Sequence, residues 1–176
     1  MTGTTIPQPV LTELQRQMNH ELFAAHGYLS LSLWCEEQNL KGFARFFHKQ
    51  ADEERVHARK FIDHLLDRGG LPELTELSAP KGKFKSLMDV AKQALTMEQA
   101  NTAGINAAYE AAVKAKDYPS MILLQWFISE QVEEEDWANE MVDRIEQAGC
   151  AGALTDLDRH IERYLAEEVV ETKDTD

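Results

Sequence analysis

Residues Phe43–Phe61 read FARFFHKQADEERVHARKF. Steps alternating between three and four residues along this stretch pick out Phe43, Phe47, Gln50, Glu54, His57 and Phe61. That spacing is the inward stripe of an α-helix packed in a bundle. The stripe is aromatic at both ends and polar in the middle, where Glu54 and His57 stand one turn apart. A charge at a core position is costly unless something compensates it, so the pattern raises the question of what Glu54 meets inside the fold.

Three other segments repeat the motif. Leu14, Met18, Glu21, Ala25, Tyr28 and Ser32 form one stripe, and Ala91, Ala94, Glu98, Thr102, Ile105 and Tyr109 a second. Leu124, Phe127, Gln131, Glu134, Ala138 and Met141 form the third. The chain is predicted to be all-α, with helices over about 9–37, 42–68, 86–115, 119–148 and a shorter fifth over 155–168, leaving 169–176 as a frayed tail. Ser86 is expected to cap the third helix and Pro119 to open the fourth. Thr155-x-x-Asp158 resembles a capping box for the fifth.

Connection lengths give the topology. The first and second helices, like the third and fourth, are separated by a few residues and should form antiparallel hairpins. Between the second and third lie about 16 residues, including Gly69, Gly70, Pro72, Pro80 and Gly82, an uncommon length for a loop without a task. Extended, that segment reaches about 50 Å, against about 40 Å for a 27-residue helix. It can run the length of the bundle and leave the helices it joins parallel. The architecture expected is a four-helix bundle with one long crossover.

Each polar interruption lies roughly twelve to fifteen residues from its helix start, near mid-length. Mid-length is the level that parallel and antiparallel helices share, so Glu21, Glu54, His57, Glu98 and Glu134 should meet in one layer, walled by Phe43, Phe47, Phe61, Phe127 and Ile105. Singly, each has a plainer reading: Glu54–His57 as a surface pair, Glu21 or Glu98 as solvated residues, Tyr28 as a core tyrosine. Four helices interrupted at one depth favour a dinuclear metal centre. Four carboxylates balance two divalent cations, neutral His57 adds a nitrogen donor, and Glu54 is the natural bridge. Oxygen-rich ligation with one imidazole suits iron or manganese, and also admits zinc.

Composition sets the frame. The 176 residues suit a single domain, 1–176, and are short for two. A net charge of −13 argues against nucleic acid as a partner. Cys35 and Cys150 have no metal-ligand spacing and read as buried or reduced thiols, with a disulfide as the lesser alternative. No run approaches the roughly 18 apolar residues that span a bilayer, so no membrane partner is expected and the default location is cytoplasmic.

Asn19-His20-Glu21-Leu22 with Tyr28, Ala51-Asp52-Glu53-Glu54-Arg55-Val56-His57, Met97-Glu98-Gln99 and Leu124 through Glu135 carry a family resemblance. Over about residues 8 to 168 the chain resembles a ferritin of the non-haem prokaryotic kind. One Glu-x-x-His of the ferritin-like template is kept, at Glu54 and His57; the other is replaced by Gln131-x-x-Glu134. Bacterioferritins carry the second Glu-x-x-His and bind haem through a methionine that aligns with Arg55, so no haem is expected. Miniferritins lack the fifth helix. The resemblance implies one iron at Glu21, Glu54 and His57, and a second at Glu54, Glu98 and Glu134 with Gln131 beside it. It also implies a third, peripheral site at Glu53, Glu130 and Glu133, whose bland alternative is a solvated acidic face. Animal ferritins line their three-fold channels with carboxylates where this chain has Met121 and Leu124, so that route does not carry over unchanged.

The function so implied is iron storage with ferroxidase activity: Fe(II) is oxidised by O2 or H2O2 at a centre holding two Fe per subunit, and ferric mineral is kept inside a homo-oligomeric shell of 24 subunits. Tyr28 would hold a hydrogen bond beside the layer or supply an electron, with Trp126 a weaker candidate for the latter. The fifth helix, with Leu157, Ile161 and Leu165 on one stripe, would pack at symmetry axes. The rivals are a di-iron or di-manganese oxidase without storage, separable by particle size, and a metal-free helical scaffold, separable by metal content.

Overall fold

The computed structural model describes residues 5–173, with side chains to Arg163. Five helices follow one another: α1 Gln8–Glu37, α2 Lys41–Asp67, α3 Leu87–Ala115, α4 Tyr118–Ala148 and α5 Ala151–Lys173. There is no strand among the described residues. The four long helices form the expected bundle and start within one residue of the positions read from the sequence. Ser86 caps α3 by accepting from the Asp89 N–H at 3.2 Å, and Pro119 occupies the first turn of α4, where the missing N–H is no loss.

The crossover lies against α1. Asn19 donates to the Glu73 carbonyl at 2.8 Å and accepts from the Thr75 N–H at 2.9 Å. Ser30, three turns further along, donates to the Lys81 carbonyl at 2.9 Å. The segment thus follows α1 toward its C-terminal end and delivers α3 parallel to α2.

The fifth helix departs from expectation. It begins at Ala151, four residues early, and continues to Lys173, through part of the stretch read as a frayed tail. Thr155 is no cap: its hydroxyl donates to the Ala151 carbonyl one turn back, at 3.0 Å. The boundary is set upstream by Gly149, whose φ of 59° is the left-handed conformation that ends α4. Asp158, read as the second half of that capping box, instead accepts from the Phe43 N–H at 2.9 Å, at the first turn of α2. A carboxylate there satisfies an orphan donor and complements the helix dipole. Gly42 makes the approach possible, since a Cβ at that position would overlap the Asp158 carbonyl. Leu157 and Ile161 pack against the subunit's own core beside Phe43 and Met141 and stay partly exposed. Leu165 lies outside the described side chains.

The core divides into two apolar blocks. One contains Phe43, Phe47, Tyr28, Leu31 and Met141; the other contains Phe61, Phe127, Ile105, Leu14 and Leu124. Cys35 is buried and Cys150 exposed, both as free thiols; burial pushes the Cys35 thiol up to about 12. No described helix is long and apolar enough to cross a membrane.

At one end of the bundle Arg68, the C-cap of α2, meets Asp117, which precedes α4, at 2.8 Å, with side chains only 11% and 4% exposed. Ser120 donates to Asp117 at 2.6 Å and lies 2.9 Å from His64 Nε2. Burial alone would raise the Asp117 carboxyl, yet the hydrogen bonds from Arg68 and Ser120 outweigh it and hold it below its ordinary value. Removing one partner of a buried pair leaves the other charge uncompensated. Asp117→Ala should therefore destabilise the fold by about 3 kcal/mol, measured by denaturant unfolding.

Candidate metal centre

Between the two apolar blocks lies a polar layer. Glu21, Glu54, His57, Glu98, Gln131 and Glu134 are all buried, each less than a tenth exposed. Glu21 comes from α1, Glu54 and His57 from α2, Glu98 from α3, and Gln131 and Glu134 from α4. Helical periodicity turns them to the interior, because every one continues an apolar stripe, and their mid-helix positions bring them to one level.

Two sets of ligand atoms converge to within 4.8 Å of one another among the described residues: Glu21 with Glu54 and His57, and His57 with Glu130 and Glu134. The first set is the trio read from the sequence. The second set shares only Glu134 with the second trio read from the sequence, Glu54, Glu98 and Glu134: it brings in His57 and Glu130. Glu98 lies in the same layer, close enough for its charge to act on Glu54 and Glu134. Its Oε1 accepts from the Tyr28 hydroxyl, and its Oε2 from Gln131 Nε2 at 3.2 Å and Asn101 Nδ2 at 3.5 Å. Gln131 also donates to the Glu98 carbonyl and to Thr102.

Glu54 Oε2 lies 3.2 Å from His57 Nδ1, and its Oε1 accepts from Asn101 Nδ2 at 3.3 Å. Glu21 Oε1 accepts from Gln17 Nε2 at 2.9 Å. Its other oxygen, Oε2, is buried without an amide or hydroxyl donor, and the neighbouring carboxyl is that of Glu54. Such an atom is expensive in a protein interior and is what a cation coordinated there would satisfy. The His57 ring is held edge-on by Trp126 and Phe127, at 5.7 and 5.6 Å between centroids.

Electrostatics point the same way. Burial, then repulsion from Glu54, pushes the Glu21 carboxyl well above its ordinary value. Burial likewise raises Glu54 and Glu98. Glu134 rises to about 7, through burial and then the Glu98 charge. Without cations the layer resists ionising, so the donor set suits divalent ions that replace its protons.

The remaining acidic residues lie outward. Glu53 and Glu130 are half-buried and Glu133 is exposed. All three line, with Glu134, a cleft of about 590 Å³ between α2, α4 and α5. Sequence reasoning missed Gln17, Asn101 and Trp137, and saw Gln50 only as a stripe residue. Their signal was present: Gln17 precedes Glu21 by one turn, and Asn101 and Trp137 follow Glu98 and Glu134 by three residues, the spacing of side-chain pairs on a helix.

The family model for a ferritin-like domain matches residues 11–148. A bacterial non-heme ferritin of Staphylococcus haemolyticus is 40% identical over 144 residues, 82% of this chain and 87% of the relative. One from a strain of Staphylococcus aureus is 43% identical over 126 residues, 72% and 76% of the two chains. Among solved structures, an open pore ferritin from the archaeon Archaeoglobus fulgidus superposes with a TM-score of 0.87 at 32% identity, covering 89% of this chain and 98% of its own.

The raised carboxyls set a pH dependence. A group whose folded value of about 7 exceeds its ordinary 4.5 binds more protons folded than unfolded between those limits, so its contribution to stability falls as pH rises through that window. In metal-free protein, Glu134→Gln should therefore raise the melting temperature at pH 8 and leave it nearly unchanged at pH 5. A thermal melt at each pH decides this, and a stabilisation confined to pH 5 would contradict the sign.

Proposed function

The chain belongs to the ferritin family, and we propose from that premise that it stores iron after oxidising Fe(II) at the buried carboxylate layer. The observation that carries this reading is the convergence of Glu21, Glu54 and His57 from two helices, with no amide or hydroxyl donor on Glu21 Oε2. Fe(II) is here the substrate. Glu21, Glu54 and His57 would take one ion, and Glu54, Glu98 and Glu134 the second, with Gln131 beside it. His57, which also converges on Glu130 and Glu134, stands between the two positions.

Each Fe(II) gives up one electron. Two ions together supply the pair that takes O2, with two protons, to H2O2, or H2O2 to water. Carboxylates favour the product because anionic oxygen stabilises the higher charge of Fe(III). Tyr28 donates its hydroxyl to Glu98 and so fixes one ligand; it stands ready to give a further electron, as does Trp126 beside His57.

The acidic cleft that holds Glu53, Glu130 and Glu133 adjoins Glu134 and supports a third, peripheral iron position. Storage requires a closed container, so the proposal extends to a shell of 24 copies enclosing ferric mineral, each chain acting as one ferritin-like domain, in the cytoplasm. A dimeric or monomeric particle in sedimentation would remove the storage claim and leave a di-iron or di-manganese oxidase.

Glu54 belongs to both ion positions, which makes it the most sensitive residue. Stopped-flow mixing of Fe(II)-loaded protein with O2 should give a fast absorbance phase saturating at two Fe(II) per subunit. Glu54→Ala should abolish that phase while the assembled particle keeps its size. Normal rapid kinetics in the variant would sink the assignment.

A further inference from the structure

Glu134 Oε2, like Glu98 Oε2, is held by two neutral side-chain donors. Gln50 Nε2 donates to Glu134 Oε2 at 3.0 Å, and the Trp137 indole N–H donates to the same atom. An indole N–H can only donate, and so can the amide nitrogen of Gln50. One oxygen receiving two such bonds has its lone-pair directions filled. Drawing it onto a cation would break both bonds at a buried site, each worth more than a neutral pair because the acceptor is charged. By contrast Glu21 Oε2 is held by no amide, hydroxyl or indole donor.

Both donors are themselves fixed. Gln50 is buried on α2. The Trp137 ring is packed edge-on against Phe46 at 4.9 Å and tilted against Tyr28 at 6.2 Å, so its N–H cannot swing away without breaking that cluster. The pair also adds no positive charge. A lysine or arginine would orient the carboxylate equally well, but would repel the cation the carboxylate is there to bind.

We infer that Trp137 and Gln50 are positioning residues: by occupying Oε2 of Glu134 they make this carboxylate a terminal ligand that meets a divalent cation through one oxygen. The inference rests on the divalent-cation reading of the layer. Bridging between ions is then left to Glu54, whose oxygens face His57 and Asn101 at the longer distances of 3.2 and 3.3 Å.

The test is an anaerobic titration of the assembled protein with Co(II), followed by visible absorption, for the wild type, Trp137→Phe and Gln50→Leu. The wild type should take up two Co(II) per subunit. In each variant one binding step should keep its affinity, and the other should weaken by about ten- to a hundred-fold, the usual effect of removing a hydrogen bond that orients a metal ligand. Both substitutions must weaken the same step. A purely structural role would lower the melting temperature of the metal-free protein and leave both affinities alone; unchanged affinities in either folded variant overturn the inference. Should Trp137→Phe fail to assemble, Gln50→Leu decides alone, since it leaves the aromatic cluster intact. A wild type that binds no Co(II) would instead defeat the cation reading itself, which separates the two failures.

Discussion

Carboxylates buried at one level of a helical bundle repel one another and lose their hydration, and the rest of this fold is arranged around that conflict. Burial is the largest cause of the raised values of Glu21, Glu54, Glu98 and Glu134. Apolar blocks on both sides keep water out, which strengthens every charge interaction inside. Neutral donors then share out the oxygens: Gln17 on Glu21, Asn101 on Glu54 and Glu98, Gln131 and Tyr28 on Glu98, Gln50 and Trp137 on Glu134. None of these donors carries a full charge. The deficit of positive charge is therefore left for cations to supply.

The same constraint explains why the ends of the bundle are built so differently from its middle. At one end Arg68 and Asp117 form a closed pair with Ser120 and His64 around it. At the other, Asp158 of α5 caps the first turn of α2. Charges at both ends are matched within the protein. Among the described residues, the buried side-chain acceptors left unsatisfied, Gln17 Oε1, Glu21 Oε2 and Asn101 Oδ1, belong to the central layer and its immediate donors, which is the ground for proposing that layer as a binding site.

How much of this was legible in the sequence follows from what each feature depends on. The stripes were readable because 3.6-residue periodicity is a local property, and Glu21, Glu54, Glu98 and Glu134 each stand where that period demands an apolar residue. The crossover was readable from length alone. The early start of α5 was not, because Gly149 and Ala151 compete with a plausible cap at Thr155, and the winner depends on Asp158 finding the α2 terminus, more than a hundred residues away. Likewise the pairing of His57 with Glu130 depends on how α2 and α4 are rotated about their axes, which periodicity leaves open by tens of degrees.

Trp137 shows the limit most clearly. By spacing it is a partner for Glu134, one turn away on α4. By composition it is a large apolar residue at the edge of a core, and it does pack against Phe46 and Tyr28. Both descriptions hold at once, since tryptophan offers a broad apolar body and a single polar handle. Which one matters for the site is decided by the direction of one N–H, and that direction is set by the ring's neighbours. The aromatic cluster is therefore part of the carboxylate layer's geometry: packing aims the indole, the indole holds Oε2 of Glu134, and the orientation of that carboxylate governs what the layer can bind.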